Sequence, residues 1–204
     1  IDSKLYDDQK VNVEPIGELK QVKVFISIFK IYNQKKISAK NIILSKCLFN
    51  INKDNFFFIT QKLKDKKFKK KILIKNSKIF FKDKKETIAI FPIKVLQFYY
   101  NKNKLSNITK GEGLAFNTKF YLDIINEFKD DEKTIFNLKF PSANLSIKNY
   151  LTDINEKEKK SIAYNLINFL GSELRTNLEF TQNYIKFNSI KPKILNNELS
   201  YSGL

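Results

Sequence analysis

The stretch Leu114-Ala115-Phe116-Asn117-Thr118-Lys119-Phe120-Tyr121-Leu122-Asp123-Ile124 decides the fold class. Leu114, Phe116, Phe120, Leu122 and Ile124 occupy one set of alternate positions, and Asn117, Lys119 and Asp123 the other. Successive side chains of a strand point to opposite sheet faces, so this period of two predicts a half-buried β-strand. The same reading extends outward. Val22, Val24, Ile26 and Ile28 alternate with Gln21, Lys23 and Ser27, and Phe136, Leu138 and Phe140 alternate with Asn137 and Lys139.

Further strands are expected over residues 39–50, 71–76, 78–82, 87–90, 95–100, 144–148, 173–180, 183–188 and 199–204. Asn, Asp and Lys clusters at 52–55, 82–85, 101–104 and 129–132 supply the turns, a role suited to residues that tolerate left-handed backbone. Connections this short join antiparallel neighbours, because a parallel pair needs a crossover of a dozen or more residues. Helix is expected only at 54–66, at 155–169 and as a short turn at 29–33. Gly111 and Gly113 read as a turn or bulge ahead of the strand at Leu114. The expected fold is mostly β: a long antiparallel meander curled into a groove, with one to three short helices. Residues 1–204 are expected to form a single β-rich segment of a larger body, with no internal boundary.

Composition narrows the chemistry. The chain carries a formal net charge of +17, yet Arg175 is the only arginine among its 38 basic residues. Nucleic-acid readers lean on the planar guanidinium fork. Abundant Lys, Asn, Ile and Phe with little Arg, Gly or Pro is what a very AT-rich genome encodes. The lysines are therefore read as solvated faces, suited to anionic headgroups, and no nucleic-acid partner is expected. A lysine-driven nucleic-acid module and a ligand-free adhesion-type β-protein stand as the competing readings.

With no His and one Cys, the usual zinc sites, histidine-assisted triads and internal disulfides are excluded. Cys47 reads as a buried, inert thiol. Phosphate-cradling glycine motifs are absent, and the acidic pairs at 7–8, 130–131 and 156/158 fall in polar segments. No catalytic residue, metal or cofactor is expected.

What remains is the oily sheet face. Its candidate lipid-lining residues are Val22, Val24, Ile26, Ile72, Ile74, Leu114, Phe116, Phe120, Leu122, Ile124, Phe136, Leu138 and Phe140. Acyl chains are suitable guests, since each buried methylene is worth about 0.8 kcal/mol.

Three stretches carry a resemblance. Pro15 to Ile31 resembles the early strand and short apolar turn of the AsmA-like envelope proteins, the TamB and YhdP kind. Ile72 to Ile88 is similar to a hairpin that recurs in that family, and Asn196 to Leu204 to its re-entering strands. The resemblance implies a fragment of a Gram-negative periplasmic protein, anchored to the inner membrane by an upstream segment. It also implies a passive, non-enzymatic role in outer-membrane biogenesis, bridging phospholipid between the two membranes, with other envelope proteins as further partners.

Overall fold

The computed structural model describes residues 3–6, 15–35, 37–52, 55, 68, 70–83, 86–128, 133–155, 160–181, 183–191, 193–194, 197–198 and 200–204. Strand takes up 74% of the described residues. In chain order the elements are β1 (Ser3–Leu5), β2 (Gly17–Leu19), β3 (Gln21–Ile26), α1 (Ile28–Gln34), β4 (Ala39–Ser45), β5 (Leu48–Ile51), β6 (Lys71–Asp83), β7 (Glu86–Asn101), β8 (Ser106–Ala115), β9 (Thr118–Glu127) and β10 (Lys133–Phe140). A 3-10 turn at Pro141–Ala143 follows. After it come β11 (Leu145–Asn155), β12 (Lys160–Phe169), β13 (Ser172–Phe180), β14 (Ile185–Ser189), β15 (Lys193–Ile194), β16 (Asn197–Glu198) and β17 (Ser202–Gly203). The mostly-β, largely antiparallel architecture is the one the alternation predicts. Two compact units divide the chain: residues 1–100 with 109–117, and residues 101–108 with 118–204.

In the first unit, β2 and β3 form one bent strand and β4 and β5 another, paired antiparallel as β2–β5 and β3–β4. The long strand β6 then takes β4 along its first half and β5 along its second, both in parallel, and pairs β7 antiparallel. These two parallel pairings correct the all-antiparallel expectation. Residues 52–70 supply a crossover long enough to allow them.

The bends line up. Lys46 and Asn76 both adopt left-handed backbone, at φ 56° and 47°. The Lys46 amide donates to Lys75 O at 3.1 Å and the Lys78 amide to Cys47 O at 2.9 Å. Between them the Cys47 amide donates to Ser77 Oγ at 3.1 Å. The Cys47 side chain is fully buried, with Ser77 at 3% exposure beside it. Two expected strands, 71–76 and 78–82, are thus one strand with a kink, and the single strand expected over 39–50 is two. Pro92 sits inside β7 opposite Lys78. The Lys78 amide is already taken by Cys47 O, so this pair asks no N–H of the proline.

In the second unit, β9 to β14 pair antiparallel in sequence order. β17 adds to β14, and β15 touches β13. Of the helix expected over 155–169, Asn155 ends β11, residues 156–159 lie outside the described residues, and residues 160–169 are the strand β12. Its Ile162, Leu166 and Phe169 have helical spacing, but ladders to β11 and β13 satisfy its backbone on both edges, and β-branched and aromatic residues suit a pleated surface. The expected strand over 114–124 is broken. Phe116 and Asn117 lie at φ 49° and 60° between β8 and β9, two consecutive residues of left-handed backbone that end one strand and begin the next. Gly111 and Gly113 lie within β8 rather than in a turn.

The helical turn expected at 29–33 is α1. At 101–104 the expected turn is held by Asn101 Oδ1, which accepts from the Asn103 and Lys104 amides at 3.0 and 3.2 Å. The expected helix at 54–66 lies outside the described residues apart from Asn55, as do the turn at 129–132 and Leu199.

Candidate functional site

Register assigns side chains to faces, because directly opposed residues point the same way. In the second unit the row Leu122–Leu138–Ile147–Ile167–Leu174 crosses five strands with one apolar residue from each. At about 4.8 Å per strand this row is about 19 Å wide. One step along the strands on the same face lies Phe120 with Phe140, Leu145 and Phe169, the first two rings 6.1 Å apart. One step the other way lies Ile124–Phe136–Asn149–Asn165–Thr176. There the Asn149 side-chain Nδ2 donates to Asn165 Oδ1, and the Thr176 and Tyr201 hydroxyls hydrogen-bond each other. The face therefore sets an apolar band beside a hydrogen-bonding band.

All five side chains of the central row are half-buried, neither sealed in a core nor fully open to solvent. Among the described residues this unit has no helix beyond the 3-10 turn, so no helical layer is described over that face.

The opposite face is charged and mixed in sign. Lys139, Lys148, Arg175, Glu173, Glu179 and Lys186 lie on it, interrupted by an apolar row Ile125–Ile135–Tyr150–Tyr164. Arg175 pairs with Glu173 at 2.6 Å and Lys160 with Glu179 at 3.0 Å. The Lys160 hydrogen bond, then that of the Tyr184 hydroxyl, hold the Glu179 carboxyl below its ordinary range. Tyr184 is pushed up in return, chiefly by its hydrogen bond to Glu179.

The first unit repeats the pattern with Val22–Leu44–Ile74–Leu96 and Val24–Ile42–Ile72–Phe98 on one face. Ile74 is buried there, whereas Val22 and Val24 on the edge are about half exposed. Phe68 stands edge-on to Phe98, centroids 5.9 Å apart. Beyond the kink, Phe81, Phe91 and Phe116 form an edge-to-face chain at 5.1 and 6.0 Å. Gly17 is required here, because a Cβ would lie 2.9 Å from the Phe49 ring.

Of the residues nominated from sequence, Phe120, Leu122, Ile124, Phe136, Leu138 and Phe140 are brought together on the second unit's face. Val22, Val24, Ile72 and Ile74 share the first unit's face. Ile26 lies past an irregularity in the β3–β4 ladder. Leu114 ends β8, and Phe116, in the turn, is 86% exposed instead of facing inward from a strand. Both border a shallow depression of about 360 Å³ lined also by Ile88, Ile90 and Pro92.

Sequence reasoning missed Ile147, Ile167 and Leu174. Ile167 was hidden by the helical reading of β12. The other two lay in expected strands whose partners were unknown.

No family model matches the chain, and neither a curated protein nor a solved structure matches it. Among the described residues, no group of three His, Cys, Asp or Glu could hold a metal ion, and no helix is long and apolar enough to cross a membrane.

Proposed function

We propose that the chain is a non-enzymatic segment of a bacterial envelope protein that holds phospholipid acyl chains against its apolar sheet faces. In the proposed setting it stands in the periplasm, passing lipid between inner and outer membranes. The observation that carries this reading is the continuous, half-buried apolar row Leu122–Leu138–Ile147–Ile167–Leu174. Whatever apolar area of these five aliphatic side chains still meets water would gain by contact with an apolar guest, at about 25 cal/mol per Å² covered. The adjoining Asn149–Asn165–Thr176 band offers amide and hydroxyl groups to the ester end of the same guest. An amphipathic ligand matches that order of bands; a purely apolar one leaves the second band unused.

The nucleic-acid alternative asks for cations gathered on one face with few carboxylates among them. On the charged face of the second unit, Arg175 and Lys160 are instead engaged by Glu173 and Glu179. The mixture favours a solvated exterior.

The test is organic extraction of the full chain, purified from bacterial envelopes, followed by lipid mass spectrometry. The proposal expects phospholipid at near-stoichiometric amount. A folded chain from which no lipid can be extracted contradicts it.

A further inference from the structure

The segment β3–α1–β4 breaks the rule that an amphipathic helix buries its apolar side. At 100° per residue, Ile28, Phe29, Ile31 and Tyr32 fall within roughly 160° of the helix circumference. Such an arc normally packs on a core. Here Ile28 and Phe29 are each 68% exposed and Tyr32 is 81% exposed. The helix is carried on a pinned base: the Ser27 amide donates to Ser38 O at 3.0 Å, and Ser27 O accepts from the Lys30 and Ile31 amides. Ile37, just outside the helix, is 81% exposed.

Charge decides what could cover this arc. Between Glu18 and Asp54 there is no acidic residue, and there are eight lysines. A second copy of the chain would bring the same lysine-rich, acid-free stretch against this one. An anionic bilayer presents the opposite sign, and each lysine near such a surface adds about 1 kcal/mol, which is about fivefold in partition. A short helix with an apolar arc and cationic flanks has the makings of an interfacial element that lies in the headgroup region.

We infer that α1 and the residues flanking it form a docking tip that inserts Ile28, Phe29 and Tyr32 into the surface of an anionic phospholipid bilayer. This contact is made by the chain itself and is separate from the sheet face assigned to acyl chains, although both partners are lipid.

The chain contains no Trp, so Phe29→Trp in the full chain gives a single reporter. With vesicles of phosphatidylglycerol and phosphatidylcholine at 1:3 and low salt, its emission shifts to the blue and is quenched by brominated acyl chains. Vesicles of phosphatidylcholine alone give a much weaker response. Lys139→Trp, on the charged face of the second unit, stays unshifted. Lys30→Gln with Lys35→Gln weakens partition roughly twenty-fivefold.

Ile28→Asp with Phe29→Asp abolishes vesicle co-sedimentation while the purified chain still yields extractable phospholipid, which separates this inference from the sheet-face proposal. Should that double variant misfold, the reporter and the lysine variant still decide. An unshifted Phe29→Trp reporter overturns the inference. So does an equal shift at the Lys139→Trp control, or concentration-dependent dimerisation with no partition into vesicles.

Discussion

The buried Cys47 amide donates to Ser77 Oγ at 3.1 Å across 30 residues of sequence, and that hydroxyl donates onward to Lys75 O at 2.9 Å. The pair ties the kink in β6 to the break between β4 and β5. It lets two short strands share one long partner without leaving an orphan amide in the core. Ser77→Ala removes the side-chain acceptor of the Cys47 amide. The expected cost is about 1–3 kcal/mol in chemical denaturation, the penalty of a buried unsatisfied donor. A change below about 0.5 kcal/mol would mean the kink is held by packing alone.

The thiol at the same place is predicted to be inert. Burial pushes the Cys47 thiol up, against the lowering influence of the Lys20 amide, the Ser77 hydroxyl and the Gln21 amide. Only the thiolate reacts. Native protein at pH 8 should therefore modify with a disulfide reagent at the rate of opening, and denatured protein at once. Rapid labelling of the native chain contradicts the burial of this junction.

Glu179 gives a pH signature. Its carboxyl is held below the ordinary 4.5 by Lys160 and Tyr184. A depressed carboxylate contributes stability that is full above the unfolded value and fades as pH falls through the folded one. The native chain should lose this part of its stability from about pH 5 downward, and Glu179→Gln should flatten that part of the profile. Tyr184→Phe should shrink the effect without removing it, because the larger Lys160 contribution stays. Parallel acid profiles for wild type and Glu179→Gln would refute the assignment.

The hairpin between β12 and β13 turns on Leu170 and Gly171, at φ 48° and 80°. Gly171 suits that geometry, but Leu170 carries a Cβ into a region that Asn occupies readily. Leu170 is 60% exposed, so little packing is lost on replacement. Leu170→Asn is expected to raise stability by about 1 kcal/mol, seen as a higher denaturant midpoint with unchanged slope. A lower midpoint would show that the leucine is held by contacts.

These sites also mark what the residue order could disclose. Period-two alternation located β3, β10, β13 and β14 closely, because one polar and one apolar face leave a direct imprint. The break at Phe116-Asn117 left none, since the alternation runs through it and Phe is not a residue associated with positive φ. β12 was read as helix because Ile162, Leu166 and Phe169 satisfy both periods, and only pairing on both edges separates the two. The parallel β4–β6 and β5–β6 pairings depend on long-range register that local pattern does not carry. For the candidate site, Leu122 and Leu138 were legible strand by strand. Their alignment with Ile147, Ile167 and Leu174 required the ladders.

That alignment is the centre of the functional reading, and adjacent residues of β11 test it most directly. Ile147 lies in the apolar row and Lys148 on the opposite face. Native mass spectrometry of the wild-type chain, Ile147→Asp and Lys148→Asp would count bound lipid in each. The account predicts phospholipid on the wild type and on Lys148→Asp, with at least tenfold lower occupancy on a folded Ile147→Asp. Equal occupancy in all three, or a folded wild-type monomer with no lipid at all, would contradict it.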